Sequence, residues 1–161
     1  MTASVNGGPQ PGTGGSRLGE VAHASARGAV AAMAMTGMRV FTVDVGIVDQ
    51  TPPEAILKQK ARGVLTRVPK GRRAAAIELM HWTYGAAGGA AYGMLPDRVR
   101  LAPWAGPAYG LATWLAFEAG IAPVLGLKQA RRRRLAERLA LAADHLLYGW
   151  ILSELRRRPQ A

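Results

Sequence analysis

Two short stretches place chemistry-bearing side chains inside apolar runs. "HWTYG" occupies 81–85 and "HLLYG" occupies 145–149, so each His is followed at the third position by Tyr and then by Gly. Each also has a carboxylate close by, Glu78 one helical turn before His81 and Asp144 directly before His145. Imidazoles and carboxylates in such a setting can titrate near neutral pH, pair with a cation, or bind a metal. Arg39, Asp44 and Glu118 are further ionisable residues within apolar stretches. The candidate polar cluster is therefore Arg39, Asp44, Glu78, His81, Glu118, Asp144 and His145.

Glu78-x-x-His81 resembles half of a helical-bundle di-iron site, which needs a second Glu-x-x-His copy. The second His-Tyr-Gly stretch has Ala142 where that Glu would stand, so no metal site and no cofactor are expected. The chain has no Cys, which removes disulfides, thiolate ligands and Cys nucleophiles. It also carries no phosphate-binding loop, dinucleotide fingerprint or Gly-x-Ser-x-Gly elbow. No catalytic residue emerges, and the sequence does not read as an enzyme.

Four apolar blocks have to position the cluster. They lie at about 28–48, 74–95, 103–125 and 135–155, after a Gly/Pro/Ser/Thr-rich tail expected to be disordered over 1–24. The third block is the clearest, since "LAPWAGPAYGLATWLAFEAGIAPVLGL" holds one charged residue, Glu118. About 20 helical residues cross a bilayer core, so each block is read as a membrane span. The fourth is near break-even: Asp144 at its centre costs about 3 kcal/mol, and each Leu returns roughly 0.3–0.6.

Gly85, Gly89 and Gly93 recur at every fourth residue, and Gly106 and Gly110 repeat the spacing on the third block. Such a face lets another backbone come close, the small-xxx-small contact of membrane helices. Glu78, His81, Gly85, Gly89 and Tyr92 share one helical face, so the ionisable groups point into the seam that the glycines open. All four tyrosines, Tyr84, Tyr92, Tyr109 and Tyr148, precede a Gly, which suits a ring packed beside a groove with its hydroxyl reaching the next helix. The two His-x-x-Tyr-Gly copies, on the second and fourth blocks, raise an internal duplication.

Net charge is +11, with 21 Lys and Arg against 10 Asp and Glu. The loop 49–73 has seven Lys and Arg and the stretch 128–138 has six, against seven on the opposite side, which places the two basic loops in the cytoplasm. Thr51 and Glu54 form a capping box with Pro52 at the first helical position, so a short amphipathic helix is expected to lie on the membrane surface between spans 1 and 2. The four arginines at 131–134 carry no aromatic residue to stack bases, and no nucleic-acid partner is expected.

From residue 78 onward the order of features resembles that of the YagU-like bacterial inner-membrane proteins. The resemblance rests on "HWTYG" opening a Gly/Ala-rich span, "AYGLATW" followed by an acid, "IAPVLGL", and "DHLLYG" near the C-terminus. It implies a multi-pass inner-membrane protein with no assigned catalytic site.

The expectation is thus an all-α integral membrane four-helix bundle over 25–158 in a bacterial plasma membrane. Its partners would be the lipid bilayer, with anionic headgroups at the basic loops, and a second copy or another membrane protein. Two functions stay open: proton or ion handling through the buried carboxylate and histidine seam, and a non-catalytic structural or partner-binding subunit that packs through its Gly-xxx-Gly faces. In the second, the polar residues serve to fix helix register.

Overall fold

The computed structural model describes residues 13–47, 67–124, 126 and 134–154. The described residues are all-α, with no strand among them. Helix α1 spans Thr13–Asp44, α2 Arg73–Gly93, α3 Asp97–Arg100, α4 Ala105–Leu115, α5 Ala122–Val124 and α6 Leu135–Glu154. A π-helical turn at Ala116–Ile121 joins α4 to α5, making one helical rod over 105–124. The start of α1 at Thr13 puts helix over much of the stretch assigned to a disordered tail. The amphipathic surface helix expected after Thr51, most of loop 49–73 and most of loop 128–138 lie outside the described residues.

The helix ends have local causes. Gly46, at φ 71°, closes α1. The Ile47 N–H donates to the Thr42 carbonyl at 2.9 Å and the Gly46 N–H to the Val43 carbonyl at 2.9 Å. This is the paired-bond Schellman stop, which needs a left-handed residue where Gly costs least. Pro96 ends the α2 connection and caps α3. Pro123 has no N–H for the carbonyl one turn back, and the turn before it widens so that the Ala122 N–H reaches Phe117, five residues earlier.

Glycines decide how the rods pack. α1 runs antiparallel to α2, and a Cβ on Gly28 would lie 2.8 Å from the Gly89 Cα and overlap the Gly85 carbonyl oxygen. One turn along, a Cβ on Gly93 would lie 2.7 Å from that of Ala24. α4 and α6 repeat the arrangement: Gly149 nests between Gly106 and Gly110, with Ser153 and His145 on either side. α6 also packs on α1, which joins the two pairs. α2 and α4 meet chiefly through tyrosines. The Tyr92 and Tyr109 rings stack edge to face at 5.2 Å, and the Tyr109 hydroxyl donates to the Gly88 carbonyl at 2.8 Å.

Backbones this close leave an interior of small residues. Ala24, Ala31, Ala32, Ala105 and Ala122 are buried there with Met35, Tyr92, Leu141, Tyr148 and Leu152. Large apolar side chains face outward instead, among them Met33, Val40, Phe41, Leu79, Trp104, Leu115, Val124, Leu139 and Trp150. Among the described residues no helix is long and apolar enough to cross a membrane. α1 is long, but Arg27 and Arg39 interrupt it, and Glu78 and His81 do the same in α2.

Gly28→Ala should lower the unfolding midpoint by an amount worth about 1–3 kcal/mol, since the added methyl has nowhere to go. Gly37→Ala on the same helix meets nothing within 4 Å. It should leave stability unchanged or raise it by up to ~1 kcal/mol through helix propensity. Circular dichroism of the two variants during denaturant unfolding checks the pair.

Candidate functional site

One or two turns beyond the glycine contacts, toward the end of the bundle that leads into the basic loops, the facing residues become polar. Thr36 and Arg39 come from α1, Glu78, His81 and Trp82 from α2, Trp114 from α4, and Asp144 and His145 from α6. Arg39 is 6% exposed and Asp144 is 4% exposed. A buried charge is costly unless paired, so the partners matter.

Glu78 is the best-held acid. Its Oε1 lies 3.8 Å from Arg39 Nη1, and its Oε2 accepts a hydrogen bond from the Thr36 hydroxyl at 2.7 Å. Trp82 Nε1 donates to the same hydroxyl oxygen at 3.2 Å, which orients Thr36 toward the carboxylate. His145 Nδ1 lies 2.8 Å from the Leu141 carbonyl. A carbonyl can only accept, so this nitrogen carries the proton and leaves Nε2 as the acceptor when the ring is neutral.

Four buried polar atoms of the cluster have no hydrogen-bond partner among the described residues: Arg39 Nη2, His81 Nε2, Trp114 Nε1 and Asp144 Oδ1. Each comes from a different helix. Arg39 acts electrostatically on Asp144, His81 and His145, which makes it the hub of the group. Trp114 stands one turn past Gly110, whose position abuts His145, at the same end of the bundle as the other three.

The opposite end of the bundle is closed. The Tyr148 hydroxyl donates to the Gly85 carbonyl at 2.7 Å, linking the two His-x-x-Tyr-Gly stretches, and the Tyr92 hydroxyl donates to the Arg100 carbonyl at 3.1 Å. Arg100 Nη2 is bound by Asp97 at 2.7 Å and Glu20 at 2.8 Å, tying the start of α1 to α3. Burial alone would lower the Arg100 guanidinium, but the hydrogen bonds and charges of Asp97 and Glu20 outweigh it and raise it above its usual value.

Of the seven ionisable residues singled out from sequence, five assemble: Arg39, Glu78, His81, Asp144 and His145. Asp44 is exposed in the last turn of α1, away from the group. Glu118 sits in the π-helical turn with its Oε1 3.8 Å from Arg138 Nε. Nearby on α6, Glu137 is buried and lies 3.5 Å from Arg134. Gly85, Gly89 and Gly93 all press on α1, and Gly106 and Gly110 on α6.

Thr36, Trp82 and Trp114 were missed, because a hydroxyl and two indoles in apolar helices look like ordinary filling. Gly28 and Gly149 were missed too, although Ala24, Gly28 and Ala32 carry the same fourth-residue spacing of small residues. Among the described residues no group of three or more His, Asp or Glu is placed to hold a metal ion. A scan against family models, a search of curated proteins and a search of solved structures each found no match to this chain.

Thr36→Val should destabilise the fold by about 1–2 kcal/mol, because Glu78 loses its hydroxyl donor and the Trp82 N–H its acceptor. Thr36→Ser should retain nearly all the stability. Denaturant midpoints of the two variants against the parent decide it.

Proposed function

We propose that this chain is a multi-pass protein of a bacterial plasma membrane that handles protons or ions through its buried carboxylate and histidine seam. The carrying observation is one reversal: large apolar side chains such as Phe41, Leu115 and Trp150 point outward, while Arg39 and Asp144 are buried within. Water would favour the opposite arrangement, and lipid favours this one. Small residues at helix contacts fit the same solvent, because without a hydrophobic force between helices close backbone packing has to hold them together.

The modest hydropathy of each helix follows from the same layout. Alanines and glycines line the contacts, and ionisable groups occupy inward positions, so much of the bulky apolar content lies on the outer faces. The resemblance of residues 78–150 to the YagU-like inner-membrane proteins belongs to this proposal. So does a cytoplasmic placement of the basic loops 49–73 and 128–138, with anionic headgroups as their neighbours. The polar cluster then lies in the half of the bundle toward the cytoplasm, and the tyrosine-bonded end faces away.

A structural or partner-binding subunit is the second reading. Its original support, the Gly-xxx-Gly faces, is weakened by their use inside the bundle, where Gly28 and Gly149 already fill them.

Two measurements test the proposal. After an alkaline carbonate wash the chain should stay with the membrane pellet, and its release into the supernatant would remove the membrane reading. In proteoliposomes the parent should pass protons, and Glu78→Gln and His81→Ala should each reduce the flux several-fold. No flux in the parent, or flux untouched by both substitutions, would leave the structural subunit.

A further inference from the structure

We propose that the species handled at the cluster is a proton and that Asp144 is the side chain that carries it. This deepens the proton-or-ion reading above and rests on it. Asp144 is 4% exposed, and among the described residues its Oδ1 has no hydrogen-bond partner and its side chain forms no ion pair. The one guanidinium at hand, Arg39, has its Nη1 turned to Glu78, which Thr36 also holds. The group therefore sets two carboxylates against one fixed cation.

The three kinds of occupant differ in how they answer that excess. A small anion would find a donor in Arg39 Nη2, but it would add a second uncompensated negative charge. A metal cation would need several oxygen or nitrogen ligands converging on it, and no such group exists among the described residues. A proton needs only the one lone carboxyl oxygen and brings the cluster to neutrality. Uptake forms an O–H bond on Asp144 at the expense of water or hydronium. Release returns that proton and leaves a carboxylate facing Arg39, with no change of oxidation state.

The neighbours of Asp144 support carriage rather than permanent pairing. From α1 it feels Arg39. α2 contributes Glu78, paired with that arginine, and His81. On its own helix stand His145, whose Nδ1–H is engaged by Leu141, and Tyr148, whose hydroxyl is engaged by Gly85. α4 presents uncharged Trp114 and, a turn away, Tyr109, bound to the Gly88 carbonyl; Glu118 farther along is held by Arg138. Glu78, about a third exposed, lies on the basic-loop side of Asp144, whereas the opposite side is sealed by tyrosines and glycines. In this conformation exchange is thus one-sided, with Asp144 at the blind end, and passage of a proton across the membrane requires the tyrosine-bonded side to open.

Infrared spectroscopy of the full-length protein in detergent should show a carboxylic-acid C=O band at neutral pH that shifts in heavy water and fades as the pH is raised. Asp144→Asn should abolish the band, and Glu78→Gln, which frees Arg39 to answer Asp144, should make it fade at lower pH. A band absent from the parent, surviving Asp144→Asn, or fading at higher pH in Glu78→Gln would overturn the assignment. Should Asp144→Asn fail to fold, dicyclohexylcarbodiimide, which attacks protonated carboxyls in apolar surroundings, can be mapped on the parent. An adduct at Asp144 supports the assignment, and an adduct at Glu78 alone overturns it. Thermal stabilisation by chloride or formate in a protein lacking the band would make the cluster an anion site instead. Proton flux without the band would keep the transport reading and overturn Asp144 as carrier; the band without flux would keep Asp144 and end the transport reading.

Discussion

The structure depends on backbone meeting backbone at two glycine crossings. Gly28 of α1 lies between Gly85 and Gly89 of α2, and Gly149 of α6 lies between Gly106 and Gly110 of α4. Helix axes are ordinarily held 8–10 Å apart by side chains, and only glycine lets the backbones themselves touch. Little room is left at the crossings for large side chains. Alanine and glycine fill much of the buried interior beside Met35, Tyr92, Leu141, Tyr148 and Leu152, and many of the bulky apolar residues occupy the outer faces.

The same crossings set the place of the polar cluster. Near the glycines the rods are pinned, and tyrosine hydroxyls from α4 and α6 close the gap by bonding to the carbonyls of Gly88 and Gly85. Farther along, Arg39, Glu78, His81 and Asp144 are too large for that approach and face one another across the bundle. Some of their polar atoms find partners and some do not. Thr36 and Trp82 fix Glu78 against Arg39, whereas the Oδ1 of Asp144 has no hydrogen-bond partner among the described residues. One cation serving two acids makes the cluster chemically asymmetric.

The two His-x-x-Tyr-Gly stretches look equivalent in sequence and are not equivalent in the fold. Tyr148 is buried and bonds to the glycine of the other copy, while Tyr84 is 60% exposed. His145 is fastened to its own helix through Leu141, and His81 Nε2 has no partner. The copies share a helical spacing, but they meet different neighbours, so only one of them ties the two helix pairs together.

Local periodicity made the helices, the fourth-residue glycine spacing and the shared face of Glu78, His81, Gly85 and Gly89 legible in the sequence, because all of these depend on one helix at a time. The apolar blocks were also readable, and a shared first block put Asp44 in the candidate cluster with Arg39. Rotation separated them: five residues at ~100° each turn Asp44 about 140° away from Arg39, onto the solvent-facing end of α1. Which glycine meets which, that Thr36 reaches Glu78 across 42 residues, and that Arg39 lies closer to Glu78 than to Asp144 were decided by tertiary structure. Those contacts depend on how each rod is turned against its partner, and that angle is set by all the side chains between them at once.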